Sequence, residues 1–345
     1  MPAFSDLSIP YSAPERSPDP TADDELVSWC LRHKMITPES DMLAAMAKYA
    51  SDEWTRLAMP LLDTREKYMT MNRWWVWGLM TEFQSNLTRQ ASDSTASLIH
   101  LTEPLIRLLR GDSRPPEQYE HAPLWESLHE LLEEADANFG EPWKLIIAES
   151  LAKSLECFIW ESASGEKEAE VDIVSYAGYR GYTYGPRYVT FLACAMLGVD
   201  AHARFLKHPM TTHALDTATN HQAYANDLIG LAKEEFNSET SGNGVLVLKE
   251  SLGLSREQAI SRLVEICNDN MRAVLSIERL MTGIAPRVFP PQERQQIHTF
   301  FAILRSGMWG NLEWLRRVGR YSEFDPDEYE MDRNAGKGDS SRCFS

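Results

Sequence analysis

The sequence predicts an all-α protein built as a single helical bundle, and three observations carry that reading. Apolar residues recur at three- and four-residue steps, as at Leu124, Leu128, Leu131, Leu132 and Ala135. Ala259, Ile260, Leu263, Val264 and Cys267 repeat that spacing, which places each set on one face of a helix. No run of alternating β-branched residues is bounded by hairpin turns, so no strand is expected. Clusters of Gly and Pro punctuate the pattern, because Gly frees the backbone and Pro removes a helical donor.

In chain order, residues 1–24 read as an extended arm carrying Pro2, Pro10, Pro14, Pro18 and Pro20. Helical patterning occupies residues 25–331 as one domain. Breaks fall at Gly111–Pro116, Gly140–Pro142, Gly165, Gly185–Pro186, Asn237–Gly244, Gly283–Pro291 and beyond Tyr321. They leave about ten helices of roughly 12–25 residues. Residues 332–345, rich in Gly, Ser and charge, read as a flexible tail. No 20–50-residue repeat is visible, so a solenoid is not expected.

Composition narrows the function classes. The chain has 345 residues, 43% of them hydrophobic and 25% charged, with a net charge of −17. An isoelectric point near 5.0 argues against a nucleic-acid binder, which needs a basic stripe. No apolar run approaches the ~20 residues of a membrane span, and the polar, proline-rich start shows no secretory h-region. The cysteines, Cys30, Cys157, Cys194, Cys267 and Cys343, are odd in number and widely spread. They support neither a zinc knuckle nor a disulfide framework, and a reducing, cytoplasmic setting is expected. There is no Walker loop, dinucleotide fingerprint, His-Glu-x-x-His or Gly-x-Ser-x-Gly. The nine histidines are scattered and read as structural or surface residues.

The informative segment is Asn226-Asp227-Leu228-Ile229-Gly230-Leu231-Ala232-Lys233-Glu234. Asn226, Gly230 and Glu234 fall at i, i+4 and i+8, along one stripe of a helix. An amide oxygen and a carboxylate then flank a Gly gap with room for water. Hard oxygen ligands on a rigid helix suit Mg²⁺, which keeps waters and bridges to phosphate. Lys233 stands beside Glu234 as a point charge for that phosphate. The same stretch also reads as a solvated face with an incidental Asn.

Three other segments stand in order around it. Tyr176-Ala-Gly-Tyr-Arg180-Gly-Tyr-Thr183-Tyr184-Gly185 lies upstream, with Arg180 46 residues before Asn226. A guanidinium fork pairs well with a diphosphate, and the glycines with Pro186 make a helix break there. Gly310-Asn311-Leu312-Glu313-Trp314, then Arg320-Tyr321, lies near the C-terminus. The aromatic run Trp74-Trp75-Val76-Trp77 precedes Glu82-Phe83-Gln84-Ser85-Asn86.

Together these resemble the motifs of class I terpene cyclases, especially the fungal and bacterial ones. Asn226 to Glu234 resembles their metal-binding Asn-Asp-x-x-Ser-x-x-Lys-Glu, with Gly230 in place of the hydroxyl residue and water serving there. The resemblance implies that Arg180 is the diphosphate sensor, Thr183 the linker and Tyr184 the effector position at the helix break. It makes Arg320 and Tyr321 diphosphate donors and Trp314 a pocket residue whose π face stabilises a cation. The Asp-rich motif is altered: Glu82 keeps the first acid, Phe83 replaces the second, and Asn86 stands at the last acidic position. Asn243-Gly-Val and Ser255-Arg-Glu-Gln-Ala259 resemble the segment that follows the metal helix.

The implied fold is the class I terpenoid synthase α-helical bundle around a central cavity. The implied reaction is the Mg²⁺-dependent ionisation of farnesyl diphosphate and its cyclisation to a sesquiterpene. Three ions would be usual, and Glu82, Asn226, water at Gly230 and Glu234 are a sparse set for them. The expected cavity wall is Trp74, Trp75, Trp77, Tyr184, Trp309 and Trp314, because the cavity must be dry and electron-rich. The atypical metal motif is similar to that of some fungal humulene-forming members, which suggests a humulene-type macrocycle. A prenyltransferase and an inactive isoprenoid-binding homologue stay open, as does a homodimer.

Overall fold

The computed structural model describes residues 6–13, 16–38, 51–92, 95–114, 117–166, 171–236 and 242–318, leaving aside the side chains of residues 51, 89–92, 165, 166, 233 and 236. Among the described residues there are twelve α-helices, one 3-10 turn (Arg204–Lys207) and no strand. The helices are α1 (Ala22–Arg32), α2 (Ser51–Ala58), α3 (Arg65–Ser92), α4 (Thr95–Leu109), α5 (Ala122–Phe139) and α6 (Glu141–Glu166). They continue as α7 (Ile173–Thr183), α8 (Pro186–Met196), α9 (Pro209–Phe236), α10 (Gly244–Leu252), α11 (Arg256–Val288) and α12 (Pro291–Arg317).

Local chemistry sets many of the ends. Asp23, Asp24 and Glu25 crowd the first turn of α1 and Arg32 its last, matching the helix dipole. Asp172 caps α7 by accepting from the Val174 and Ser175 amides. Asn243 caps α10 through the Val245 amide. Ser255 and Gln258 form a reciprocal capping box at α11. Pro123, Pro186 and Pro291 open α5, α8 and α12 at the first helical positions, where a missing donor costs nothing.

Two expected breaks lie inside helices. Gly165 belongs to the end of α6, and Gly283 to α11, which runs on to Val288. The buried stripe Ile277, Met281 and Ala285 continues past Gly283. Packing of that stripe outweighs the ~1 kcal/mol propensity cost of one Gly.

The long helix α9 is the hub, packing on α7, α11 and α12, while α8 packs on both α3 and α9. The core between them is aromatic. Trp54, Trp74, Trp77, Trp314, Tyr176, Tyr224, Phe300 and Phe301 are among its fully buried side chains, each contributing about 1.5–3 kcal/mol by leaving water. Two glycines allow close approaches between helices. A Cβ on Gly310 would lie 2.2 Å from the Leu57 carbonyl group, so α12 rests directly on the end of α2. A Cβ on Gly78 would lie 2.4 Å from the Tyr188 hydroxyl, so α3 meets α8 there.

The described parts of the N-terminal arm are non-helical up to Ala22 and lie on the bundle. The Ser8 amide donates to Asn268 Oδ1 at 2.9 Å, and Tyr11 Oη donates to the Arg305 carbonyl at 3.1 Å. Arg16 stacks over the Tyr68 ring at 4.5 Å.

Candidate active site

The site grows from a broken helix set against α9. Tyr184 ends α7, Gly185 takes a left-handed φ of 83°, and Pro186 restarts the chain as α8. Only a residue tolerant of positive φ fits that corner. A Cβ on Gly181 would come within 2.6 Å of Asn220 Oδ1 and 2.9 Å of Thr219 Oγ1, so the bare α7 backbone packs directly on α9 side chains there. Arg187 stacks on the Tyr182 ring at 4.8 Å and pairs with Asp216 on α9. The break is therefore held from both sides.

Arg180 sits at the crossing, buried. Its Nε and Nη2 donate to Asp227 Oδ1 at 3.0 and 2.6 Å, its Nη2 to Asn226 Oδ1 at 3.3 Å, and its Nη1 to Thr183 Oγ1 at 3.3 Å. Tyr176 Oη at 2.6 Å and the Gly244 amide at 3.0 Å donate to Asp227 Oδ2. Burial alone would pull the guanidinium down, but nearby carboxylate charge, Asp227 first, holds it well above its ordinary range. Burial, then the Asp227 charge, raises the Tyr176 hydroxyl, which stays protonated as a donor.

The stripe Asn226, Gly230 and Glu234 is present on α9. A Cβ on Gly230 would lie 3.1 Å from Glu234 Oε1, so the Gly leaves the notch into which that carboxylate folds. Asn243 clamps the stripe: its Nδ2 donates to the Asp227 carbonyl at 2.7 Å and to Glu234 Oε2. Among the described residues no three His, Cys, Asp or Glu side chains gather as a ready ligand cluster. The Asn226 and Glu234 oxygens with the Gly230 notch nevertheless fit a hard divalent ion that draws its other ligands from water and phosphate.

A second junction lies at Asn311 on α12. Its Oδ1 accepts from Tyr184 Oη at 2.7 Å and Trp54 Nε1 at 3.3 Å, and its Nδ2 donates to the Gln222 carbonyl at 3.4 Å. Gln222 is one turn before Asn226, so Asn311 ties the helix break to the α9 stripe. Trp75 stacks on Trp54 at 3.8 Å and meets Trp314 edge-on at 6.3 Å. Trp75 lies seven residues before Glu82, on the same helix face.

The other aromatic candidates divide. Trp74 faces Tyr188 at 6.2 Å. Trp77 donates from its indole to the Leu124 carbonyl at 3.0 Å, in the α3–α5 interface. Trp309 is half-buried, two residues from Asn311 and therefore on a different face of α12. Glu82 and Asn86 are half-buried on α3. Burial, with a smaller contribution from the Glu82 charge, raises the Tyr188 hydroxyl. The Lys233 side chain, Arg320 and Tyr321 lie outside the described residues.

Sequence reasoning quotes Asp227, Tyr176 and Asn311 inside motifs but gives them no task. Their burial is the missing information: each is a polar side chain at a helix crossing, which no periodicity reveals.

The helical bundle aligns with those of solved terpene synthases. α-Eudesmol synthase aligns with a TM-score of 0.77 at 16% identity over 90% of this chain and 99% of its own. A variant of cucumene synthase aligns at 0.76 and 21% identity, covering 91% and 99%. The 2-methylisoborneol synthase of Streptomyces coelicolor A3(2), solved with Mg²⁺ and 2-fluoroneryl diphosphate, aligns at 0.76 and 16%, covering 91% and 97%. Residues 87–273 match the family described as terpene synthase family 2, C-terminal metal binding. The chain belongs to that family.

Among curated relatives, spiroviolene synthase of Streptomyces violens is 21% identical over 87% of this chain and 80% of its own length. Sesquiterpene synthase 3 of Postia placenta is 22% identical over 50% of this chain and 46% of its own, so the match spans under half of that relative. Among the described residues no helix is long and apolar enough to cross a membrane.

Proposed function

We propose that the chain is a sesquiterpene cyclase that ionises farnesyl diphosphate and cyclises the cation to a C15 hydrocarbon, releasing diphosphate. The observation that carries this reading is Arg180, held by Asp227 beside Asn226 where the broken helix crosses α9. A buried guanidinium that is already oriented binds a diphosphate without the entropy cost of ordering its side chain. Mg²⁺, when bound, supplies positive charge that stabilises the departing diphosphate. Glu82, Asn226 and Glu234 would hold it, with water at Gly230 and three ions as the expected count. Lys233, Arg320 and Tyr321 would add donors to the diphosphate, with Thr183 and Tyr184 placing the break against the reacting carbon. Trp75 and Trp314 form the aromatic wall that excludes water and faces the cation.

The product proposed is a humulene-type macrocycle of the kind fungal members make, and the expected setting is cytoplasmic. The family label of C-terminal metal binding and the diphosphate and Mg²⁺ seen with the 2-methylisoborneol synthase support the substrate class and the ion. The test is release of inorganic pyrophosphate from the C10, C15 and C20 diphosphates, with Mg²⁺ and with a chelator. Release that is Mg²⁺-dependent and fastest with C15 supports the proposal. Release only after an aromatic acceptor is added indicates a prenyltransferase, and no release from any of the three indicates a binding homologue.

A further inference from the structure

We propose that Gln222, on α9, is a specificity-determining residue of the cyclisation, its side-chain amide oxygen facing the prenyl cation one helical turn from Asn226. This role presupposes the reading of the chain as a cyclase. Gln222 is 3% exposed, and its Oε1 is shielded from solvent and accepts no hydrogen bond among the described residues. Its Nε2 donates to the Ala218 carbonyl one turn earlier at 3.4 Å, which fixes the end of the amide that carries the oxygen. A buried acceptor left unsatisfied costs stability. Such an oxygen points to a partner from outside the chain.

The position of the oxygen decides what that partner is. Successive residues of an α-helix turn by about 100°, so Asp227 lies about 100° to one side of Asn226 and Gln222 about 40° to the other. On the first side Arg180 of α7 holds Asp227, and on the second the Asn311 amide of α12 holds the Gln222 carbonyl at 3.4 Å. Gln222 and Asn226 therefore look together into the space between the broken helix and α12. Tyr184, at the break, reaches across it to Asn311 Oδ1 at 2.7 Å. On α12, Gly307 stands opposite the amide. A Cβ there would lie 3.7 Å from Gln222 Nε2 and 3.9 Å from Oε1, and would meet no other described residue across from it within 4 Å. The missing side chain leaves room in front of the oxygen. Gly307, Asn311 and Trp314 fall at i, i+4 and i+7 on one face of α12, so that room continues towards Trp314 and its partner Trp75.

The charge expected in this place is positive. Once the diphosphate leaves at the Arg180–Asn226 end, the charge moves along a hydrocarbon chain that carries no polar group of its own. An amide oxygen is the negative end of a dipole, and a fixed dipole stabilises charge where it develops. It is far less basic than a carboxylate, so it holds the cation without taking its proton. The π faces of Trp75 and Trp314 act on the same charge. The oxygen thus favours one cation over its competitors, which sets the choice among products and leaves diphosphate release unchanged.

The wild type, Gln222→Leu and Gly307→Ala are each incubated with farnesyl diphosphate and Mg²⁺, and the products are resolved by gas chromatography and mass spectrometry. Thermal unfolding is followed in parallel without ligand. Leu nearly keeps the volume and removes the dipole. Gln222→Leu is expected to unfold at or above the wild-type Tm, because an orphaned acceptor is lost, and to need the same Mg²⁺ for pyrophosphate release. The ratio of by-products to main product is expected to change about tenfold, the order for losing one polar contact to a charge. Gly307→Ala, whose methyl enters the same room at ordinary contact distance, is expected to keep the fold and to shift the products as well. An unchanged product ratio in a folded Gln222→Leu marks a merely structural side chain and overturns the inference, while the cyclase reading stands. Where Gln222→Leu does not fold, an unchanged ratio in Gly307→Ala overturns it. A wild type that yields no hydrocarbon from any prenyl diphosphate overturns the cyclase reading and the inference with it.

Discussion

Arg180 donates twice to one oxygen of Asp227, from Nε at 3.0 Å and from Nη2 at 2.6 Å. Asp227 is completely buried, and its other oxygen is taken by Tyr176 and the Gly244 amide. The acid is thus fully used in fixing the guanidinium, whose Nη1 and Nη2 also reach Thr183 and Asn226. One side chain joins α7, α9 and the start of α10, so binding at Arg180 is coupled to the integrity of the fold.

Replacing Asp227 by Asn removes one charge of a buried pair and leaves Arg180 uncompensated. The expected cost is about 3 kcal/mol, in the range for broken buried pairs. Urea denaturation measures it, and a wild-type midpoint in Asp227→Asn would contradict the role given to this pair.

Gly230→Ser adds a Cβ 3.1 Å from Glu234 Oε1. That atom is the end of a flexible side chain, which gives by a few tenths of an ångström, and the new hydroxyl is itself an oxygen ligand. The variant is expected to retain its response to Mg²⁺ within a few-fold. Complete loss of that response in a folded protein would show that the notch does not hold a water for the metal.

Gly310→Ala meets backbone instead, since its Cβ would lie 2.2 Å from the Leu57 carbonyl group and 2.3 Å from the Ala58 amide. Helix α12 must then lift off α2, disturbing Asn311 and Trp314 on the same helix. The better helix propensity of Ala, worth about 1 kcal/mol, does not offset overpacking of about 3 kcal/mol or more. A lowered Tm is expected, and an unchanged or raised Tm would refute the close approach.

His221, on α9, lies fully buried with neither ring nitrogen hydrogen-bonded, and burial pushes it down to about 4. The unfolded chain takes up that proton near pH 6.5, so between about pH 6.5 and 4 the unfolded state binds more protons than the native one. Stability must fall as the pH falls through this window, by about 3 kcal/mol in total. His221→Leu should remove that part of the slope, as read by urea midpoints at pH 7 and pH 5. An equal slope in the variant would contradict the neutral, buried imidazole.

The helical class, the broken helix at Gly185–Pro186 and the stripe on α9 are legible in the sequence because each depends on local spacing or on Gly and Pro. The junctions at Asp227 and Asn311 are not. Their function depends on which helices cross, and partners 47 and 127 residues apart leave no periodic trace. Trp75 and Trp77 look equivalent in the sequence, but the direction of each indole separates a stack with Trp54 from an anchor on Leu124. Gly283 reads as a break when its own low propensity is considered alone; the buried stripe running past it decides otherwise.

The most direct test of the central claim is incubation with farnesyl diphosphate, with and without Mg²⁺, followed by gas chromatography and mass spectrometry of the volatile products. A C15 hydrocarbon that requires Mg²⁺ and disappears in Arg180→Ala is expected. No hydrocarbon from farnesyl diphosphate, with the C10 and C20 diphosphates also inert, would contradict it.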